Sequence, residues 1–251
     1  MEQRRKIGDA NAFGGAADVY EKARPTYPPG AAGWLVPPGA TEIVDLGAGT
    51  GKFTRSLVAL ADAMPGAHVT AVEPDKKMLA KLVTELPSVT GLAGTAEHLP
   101  FDDGSVGVVT VAQAWHWVDE SLAVPEIARV LRPGGILGLV WNLRDERADW
   151  VRELGIAMRH SEAERMLQNA IVIGSPFGPT EHFEIEWSMP TNPSALLELV
   201  ASRSYYIVAE QQERDRIDAA VRDLVATHPE LAGRESFDLP YRTHCFRAVR
   251  P

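Results

Sequence analysis

Residues 41–142 predict an α/β fold of the doubly wound kind, a mostly parallel sheet with helices on both faces. Three observations carry this. Short apolar runs at 43–46, 68–72 and 106–112 alternate with segments of helical spacing at 52–60 and 76–82. The first run ends in three alternating glycines, Gly47, Gly49 and Gly51. The second ends on an acid, Glu73, about twenty residues further on, where such folds hold the sugar of a nucleotide.

Each element follows in order. After strand 43–46, glycine at 47, 49 and 51 lets the backbone take positive φ and lets a ligand lie against the main chain. The helix that starts at Lys52 then points unpaired N–H groups at that ligand. Spacing narrows the ligand. A dinucleotide fingerprint needs its third glycine at Lys52 or Thr54, depending on the frame, and neither is glycine. A P-loop needs Ser or Thr after Gly51-Lys52, where Phe53 stands. A plain strand-to-helix turn is the other reading of the triplet. At Glu73 a carboxylate can accept two hydrogen bonds from a ribose diol; the alternative is a charge answering the helix dipole, which Asp75 could equally supply.

Residues 94–101, then 102–105, read as a loop before strand 106–112. Helix 127–132 is stopped by Pro133, and Gly134-Gly135 permits the reversal into strand 136–140. Beyond Trp141-Asn142 the pattern changes: a helix over about 146–160, a Gly/Pro loop at 171–179, a strand at 183–187, a long helical region from Pro193 through 210, a helix at 212–228 and a closing antiparallel strand at 241–249.

Asp45-x-Gly47-x-Gly49-x-Gly51 resembles the first motif of class I S-adenosylmethionine-dependent methyltransferases. The resemblance extends to Glu73, to 94–101 and to the Pro-Gly-Gly turn, and covers about residues 10–142. It implies a Rossmann-like, seven-stranded, mostly parallel sheet with an antiparallel last strand and a helical lid. The implied cofactor is S-adenosylmethionine, leaving as S-adenosylhomocysteine, with no metal. Its implied contacts are Asp45, Gly47, Ala48, Gly49 and Gly51 on the loop, Glu73 and Pro74 beside the ribose, Thr95, Ala96 and Glu97 beside the adenine, and Gln113. The family often has aspartate where Thr95 stands, and a hydroxyl accepts the adenine amine more weakly. The pattern Phe13-Gly14 … Tyr20 … Arg24-Pro25-x-Tyr27-Pro28 resembles the amino-terminal flap of small-molecule methyltransferases. It implies Tyr20 at the methionine carboxylate and Arg24 at a carboxylate of cofactor or substrate; a surface ion pair for Arg24 and sheet-edge padding for the tyrosine remain open. Within the superfamily the chain is similar to ubiquinone and menaquinone C-methyltransferases and to trans-aconitate O-methyltransferases.

Composition bounds the partners. The chain has 251 residues, 45% of them hydrophobic, enough for one structural domain. That domain is expected to comprise a flap at 1–40, a cofactor core at 41–142 and a carboxyl-terminal part with the lid at 143–251. A net charge of −9 argues against a nucleic-acid substrate, so the expected partner is a small-molecule acceptor. No apolar stretch reaches roughly 18 residues, the basic start has no apolar run behind it, and Cys245 is the single cysteine. Together these place the chain in the cytoplasm, without membrane insertion.

Chemistry is expected at 113–119, after the fourth strand. His116, between Trp115 and Trp117, is the side chain there that titrates near neutral pH, so it is the candidate general base; a structural hydrogen bond is its ordinary alternative. Trp115, Trp117, Trp141 and Arg144 are candidate acceptor contacts. The histidines show no metal-binding spacing, and Gly174-Ser175-Pro176 lacks the second glycine of a nucleophile elbow. The Asn/Asp-Pro-Pro-Tyr/Phe signature of base-amino methylation is absent after the fourth strand. Two other functions fit the same glycine turn: a nicotinamide-dependent oxidoreductase, and a non-catalytic S-adenosylmethionine-binding protein.

Overall fold

The computed structural model describes residues 24–158, 162–167 and 169–251. A helix α1 (Pro29–Leu35) leads into β1 (Glu42–Leu46), α2 (Lys52–Ala61), β2 (His68–Val72), α3 (Lys76–Glu85), β3 (Thr90–Leu92) and β4 (Val106–Ala112). A 3-10 turn (Trp115–Trp117) precedes α4 (Glu120–Val130) and β5 (Leu131–Arg144). Then come α5 (Asp149–Met158), α6 (Glu162–Met166), β6 (Glu181–Thr191), α7 (Pro193–Ala201), α8 (Ser204–Ile207), α9 (Gln211–Thr227) and β7 (Phe237–Val249).

The strands form one seven-stranded sheet in the order β3-β2-β1-β4-β5-β7-β6. β1 to β5 pair in parallel, and β7 runs antiparallel between β5 and β6. This is the seven-stranded sheet expected, with its last strand reversed. Strand order turns back between β1 and β4, so a crevice opens outside their carboxyl ends. Because β7 is antiparallel, its beginning lies at that same edge: Tyr241 sits opposite Arg144.

Period-2 alternation builds the core on both faces. Val44, Leu46, Val109 and Val111 pack into one apolar layer with Trp115, Ile127 and Trp141. Ile43, Val69, Ala71 and Val108 pack into the other with Leu35, Phe53, Leu57 and Leu82. A third cluster joins α5, α7 and α9 to β7 through Leu154, Leu196, Leu199, Val221, Leu239 and Tyr241.

Several expected boundaries shift. Helix 127–132 ends at Val130, and helix 146–160 begins at Asp149. The expected helical region from 193 through 210 is broken. Asn192 caps α7 by accepting from the Ala195 N–H at 2.9 Å, but α7 stops at Ala201, where the Ser202 hydroxyl donates to the Leu199 carbonyl at 2.7 Å. A side chain that takes a helix-end carbonyl removes the reason to propagate the helix. Among the described residues no helix is long and apolar enough to cross a membrane.

Candidate functional site

The glycine loop is held open from below. Gly47, Gly49 and Gly51 have φ of 68°, 57° and 89°, and a Cβ on Gly47 would come within 2.9 Å of the Ala114 Cβ. Only glycine meets both demands. The Gly47 N–H donates to the Val72 carbonyl at 2.8 Å, tying the loop to the end of β2. Gly51, the residue before α2, supplies no side-chain acceptor, so the first turn of that helix keeps N–H groups for a ligand.

Glu73 ties the turn after β2 to the loop after β1. Its Oε2 accepts from the Gly49 N–H at 2.8 Å and its Oε1 from the Asp75 N–H at 2.8 Å. Burial pushes the carboxyl upward in pKa, and these two backbone bonds pull it partly back. Each oxygen keeps a lone pair for a hydroxyl. Asp75 caps α3, accepting from Lys77 and Met78 N–H groups, so the helix-start role falls to it rather than to Glu73. Pro74 between them is exposed.

Asp45 lies deeper, wholly buried. Thr54 donates to its Oδ2 at 2.6 Å, and the Thr110 hydroxyl lies 3.3 Å from its Oδ1. Burial raises its pKa to about 7. The Thr110 hydroxyl is shared between the Asp45 Oδ1 and the Val44 carbonyl, 3.2 Å away. Asp45 therefore underpins the loop from within the sheet.

A cleft of about 580 Å³ lies over the loop, lined by Gly47, Ala48 and Gly49 together with Arg24, Tyr27, Lys52, Phe53, Gln113, Asn142, Arg203 and Tyr241. Gln113, at the end of β4, takes φ 55°. A non-glycine residue there is uncommon and needs support, which comes from its N–H bonded to Val140 at 2.9 Å and its side-chain amide donating to the Asn142 carbonyl at 2.9 Å. Asn142 in turn donates to the Thr26 carbonyl at 2.9 Å, and Tyr27 packs edge-on against Phe53. Arg24 donates to the Ser202 carbonyl at 3.2 Å. The segment from Arg24 thus becomes a wall of the cleft, while Tyr20 lies outside the described residues. On the adenine side Thr95 is exposed, Ala96 turns its methyl into the core, and Glu97 accepts from the Asp119 N–H at 3.1 Å.

The acceptor-side residues divide. Trp141 is wholly buried against Phe246, and Trp115 is buried in the same layer, so both are core side chains facing away from the cleft, a correction to the expected acceptor contacts. Trp141 projects to the face opposite Asn142 because neighbours on a strand alternate, and Trp115 reaches the same layer from the 3-10 turn. His116 and Trp117 are half-buried, their rings 5.0 Å apart, and neither belongs to the described cleft wall. Arg144 is buried, with Nη2 bonded to Glu164 at 2.7 Å. Sequence reasoning missed Asn142, Arg203 and Tyr241. Asn142 could have been found from its place at the end of a parallel strand, but no sequence pattern marks the other two.

Cys245 sits at the centre of β7 with its thiol pushed up to about 12 by burial, which fits a packing role. Among the described residues His182, Glu184 and His244 bring ligand-type atoms within 4.8 Å across β6 and β7. Arg242 already donates to both Glu184 oxygens, at 2.7 and 2.6 Å.

The cleft offers glycine backbone and a helix start, and the Glu73 carboxylate lies next to its loop through the Gly49 N–H. Comparison with known proteins agrees. A methyltransferase domain family matches residues 44–139. An uncharacterized methyltransferase of Mycobacterium tuberculosis is 50% identical over 239 residues, 95% of each chain. A malonyl-[acyl-carrier protein] O-methyltransferase of Methylococcus capsulatus is 41% identical over 107 residues, 41% of this chain and 38% of that one. In structure, a candidate type II methyltransferase from Anaeromyxobacter dehalogenans superposes with a TM-score of 0.61 at 23% identity, over 90% of this chain and 97% of that one, and so shares the fold.

Proposed function

This chain belongs to the class I S-adenosylmethionine-dependent methyltransferases, and from that premise we propose that it methylates an oxygen or carbon of a small-molecule acceptor seated over the carboxyl ends of β1, β4 and β5. Family membership decides against the nicotinamide-dependent alternative. The observation that carries the reading is the Glu73 carboxylate bonded to the Gly49 N–H, which sets the sugar-binding acid at a fixed place beside the loop.

S-adenosylmethionine, when bound, supplies a methyl group made electrophilic by its sulfonium. The protein's own task is then positioning and the exclusion of water. Glu73 orients the ribose by accepting from its hydroxyls, and the Gly47–Gly51 backbone with the start of α2 holds the amino-acid end. Thr95, Ala96 and Glu97 border the adenine. The Gln113 side chain donates to the Asn142 carbonyl, and the Asn142 side chain to the Thr26 carbonyl, which together keep the acceptor side of the cleft rigid. Tyr27 and Phe53 shield it from solvent. For a hydroxyl or acidic carbon, the proposed base is His116, half-buried in the turn after β4 and outside the described cleft wall; a carboxylate acceptor needs no base. The O-methyltransferase relative favours oxygen as the acceptor atom. The acidic charge turns the site away from nucleic acid, and a lone buried cysteine suits the reducing cytoplasm.

Calorimetry with S-adenosylmethionine and S-adenosylhomocysteine tests the cofactor, and absence of heat with both refutes the reading. A screen of carboxylic acids, phenols and quinols, followed by formation of S-adenosylhomocysteine, then identifies the acceptor.

A further inference from the structure

We propose that Arg144, Arg203, Tyr205 and Tyr241 form a subsite that grips a carboxylate carried by the methyl acceptor. The inference rests on the methyl-transfer reading and deepens it. Its ground is a set of buried donors with nothing to donate to. Arg144 is 5% exposed; its Nη2 meets Glu164, while its Nε and Nη1 have no hydrogen-bond partner. The Arg203 Nε and the hydroxyls of Tyr205 and Tyr241 are likewise buried and unpartnered. Tyr241 is 1% exposed and lines the cleft, as does Arg203.

The fold brings these residues together from distant places. Arg144 ends β5 and Tyr241 stands opposite it near the start of β7, on the sheet face that Asn142 also presents to the cleft. Arg203 and Tyr205 come from the break between α7 and α8 and from α8 itself. Arg24, Arg144 and Arg203 all act electrostatically on both phenols, and Glu164 is the anion acting beside them. Beside these phenols the Arg144 Nε and Nη1 and the Arg203 Nε are buried without an acceptor.

Buried donors of this kind are costly to leave unpaired unless an acceptor enters. Guanidinium groups can only donate, so the missing partner must accept hydrogen bonds and carry negative charge. A carboxylate offers about four acceptor sites, the scale of four donor side chains. The cofactor's own carboxylate is a second source of the same chemistry. Position favours the acceptor: the glycine loop that holds the cofactor's amino-acid end follows β1, and β5 lies two strands away, about 10 Å across the sheet.

The test uses the whole protein saturated with S-adenosylhomocysteine and titrated by calorimetry with matched probes: glutarate against glutaramide, benzoate against benzamide, and inorganic phosphate. At least one carboxylate should bind about tenfold or more tighter than its amide, as expected for a charge-assisted bond. Tyr241→Phe and Arg203→Gln should each erase that preference while S-adenosylhomocysteine affinity stays within about threefold and the thermal transition remains cooperative. Arg144→Met should do the same, and the other two variants carry the test if it fails to fold. Equal binding of acid and amide, or a preference that survives in Tyr241→Phe and Arg203→Gln, overturns the proposal. So does tighter binding of phosphate than of any carboxylate. A loss of S-adenosylhomocysteine affinity of about tenfold in the variants assigns the anion to the cofactor and removes the acceptor subsite. Failure of the parent protein to bind S-adenosylhomocysteine at all sinks the methyl-transfer reading and the subsite with it.

Discussion

Replacing Glu73 with glutamine keeps the side chain's shape and removes its charge. In the parent, both carboxylate oxygens accept from backbone N–H groups, Gly49 on the loop and Asp75 at the start of α3, each at 2.8 Å. Glutamine has one oxygen, so its amide nitrogen must face one of those donors. A buried bond to a charged group contributes about 1.5–3 kcal/mol, and an orphaned N–H costs a similar amount. Because the two overlap, the fold should lose roughly 2–4 kcal/mol, or about 5–15 °C in Tm for a domain of this size. The ribose loses a charge-assisted acceptor as well, worth about 1.5–3 kcal/mol, which weakens S-adenosylhomocysteine binding about 10- to 150-fold. Calorimetry at a temperature well below both transitions separates binding from unfolding. A Glu73→Gln protein that binds S-adenosylhomocysteine within about twofold of the parent would refute the assignment of this carboxylate to the sugar.

Three further outcomes follow from the same geometry. Burial holds the Asp45 carboxyl near 7 rather than 3.8, so the folded state favours its protonated form; its stabilising contribution is complete below about pH 4 and lost as pH rises toward 7, a change on the order of 4 kcal/mol at most. Asp45→Asn mimics the protonated form, so thermal scans across that window should show the parent losing stability relative to the variant, and parallel curves would count against it. Gly47→Ala meets both a φ of 68° and a 2.9 Å clash with Ala114, so it should cost about 1–3 kcal/mol and weaken cofactor binding; an unchanged Tm would show that the loop can relax. His116→Ala should lower kcat about 10²- to 10⁴-fold with a hydroxyl or carbon acceptor while leaving the KM for S-adenosylmethionine unchanged, and full activity removes it as the base.

The cofactor half of the site was legible because its determinants are local. Gly47, Gly49, Gly51 and Glu73 are written into two strand-to-helix turns, and the spacing between them restricts the nucleotide. Pattern reasoning erred where a residue's face matters. Trp141 reads as a pocket wall at the end of a strand, yet one position decides whether a side chain enters the core or the cleft, and Asn142 took the cleft. The helix expected from Pro193 onward looked continuous, yet it stops at Ala201 and a separate short helix follows at Ser204–Ile207, a break that composition does not reveal.

The chain's own order of residues settled the doubly wound fold class and the glycine loop, since these depend on periodicity and backbone conformation over a few neighbouring positions, while the seven-stranded sheet with its reversed last strand came from the family resemblance. Only the tertiary structure brought Arg203 and Tyr241 to one cleft wall and set Arg144 opposite Tyr241. An antiparallel strand returns its first residues to the carboxyl edge of the sheet, and a broken helix drops a guanidinium beside them. Such neighbours are created by strand direction and packing, so no spacing along the chain records them.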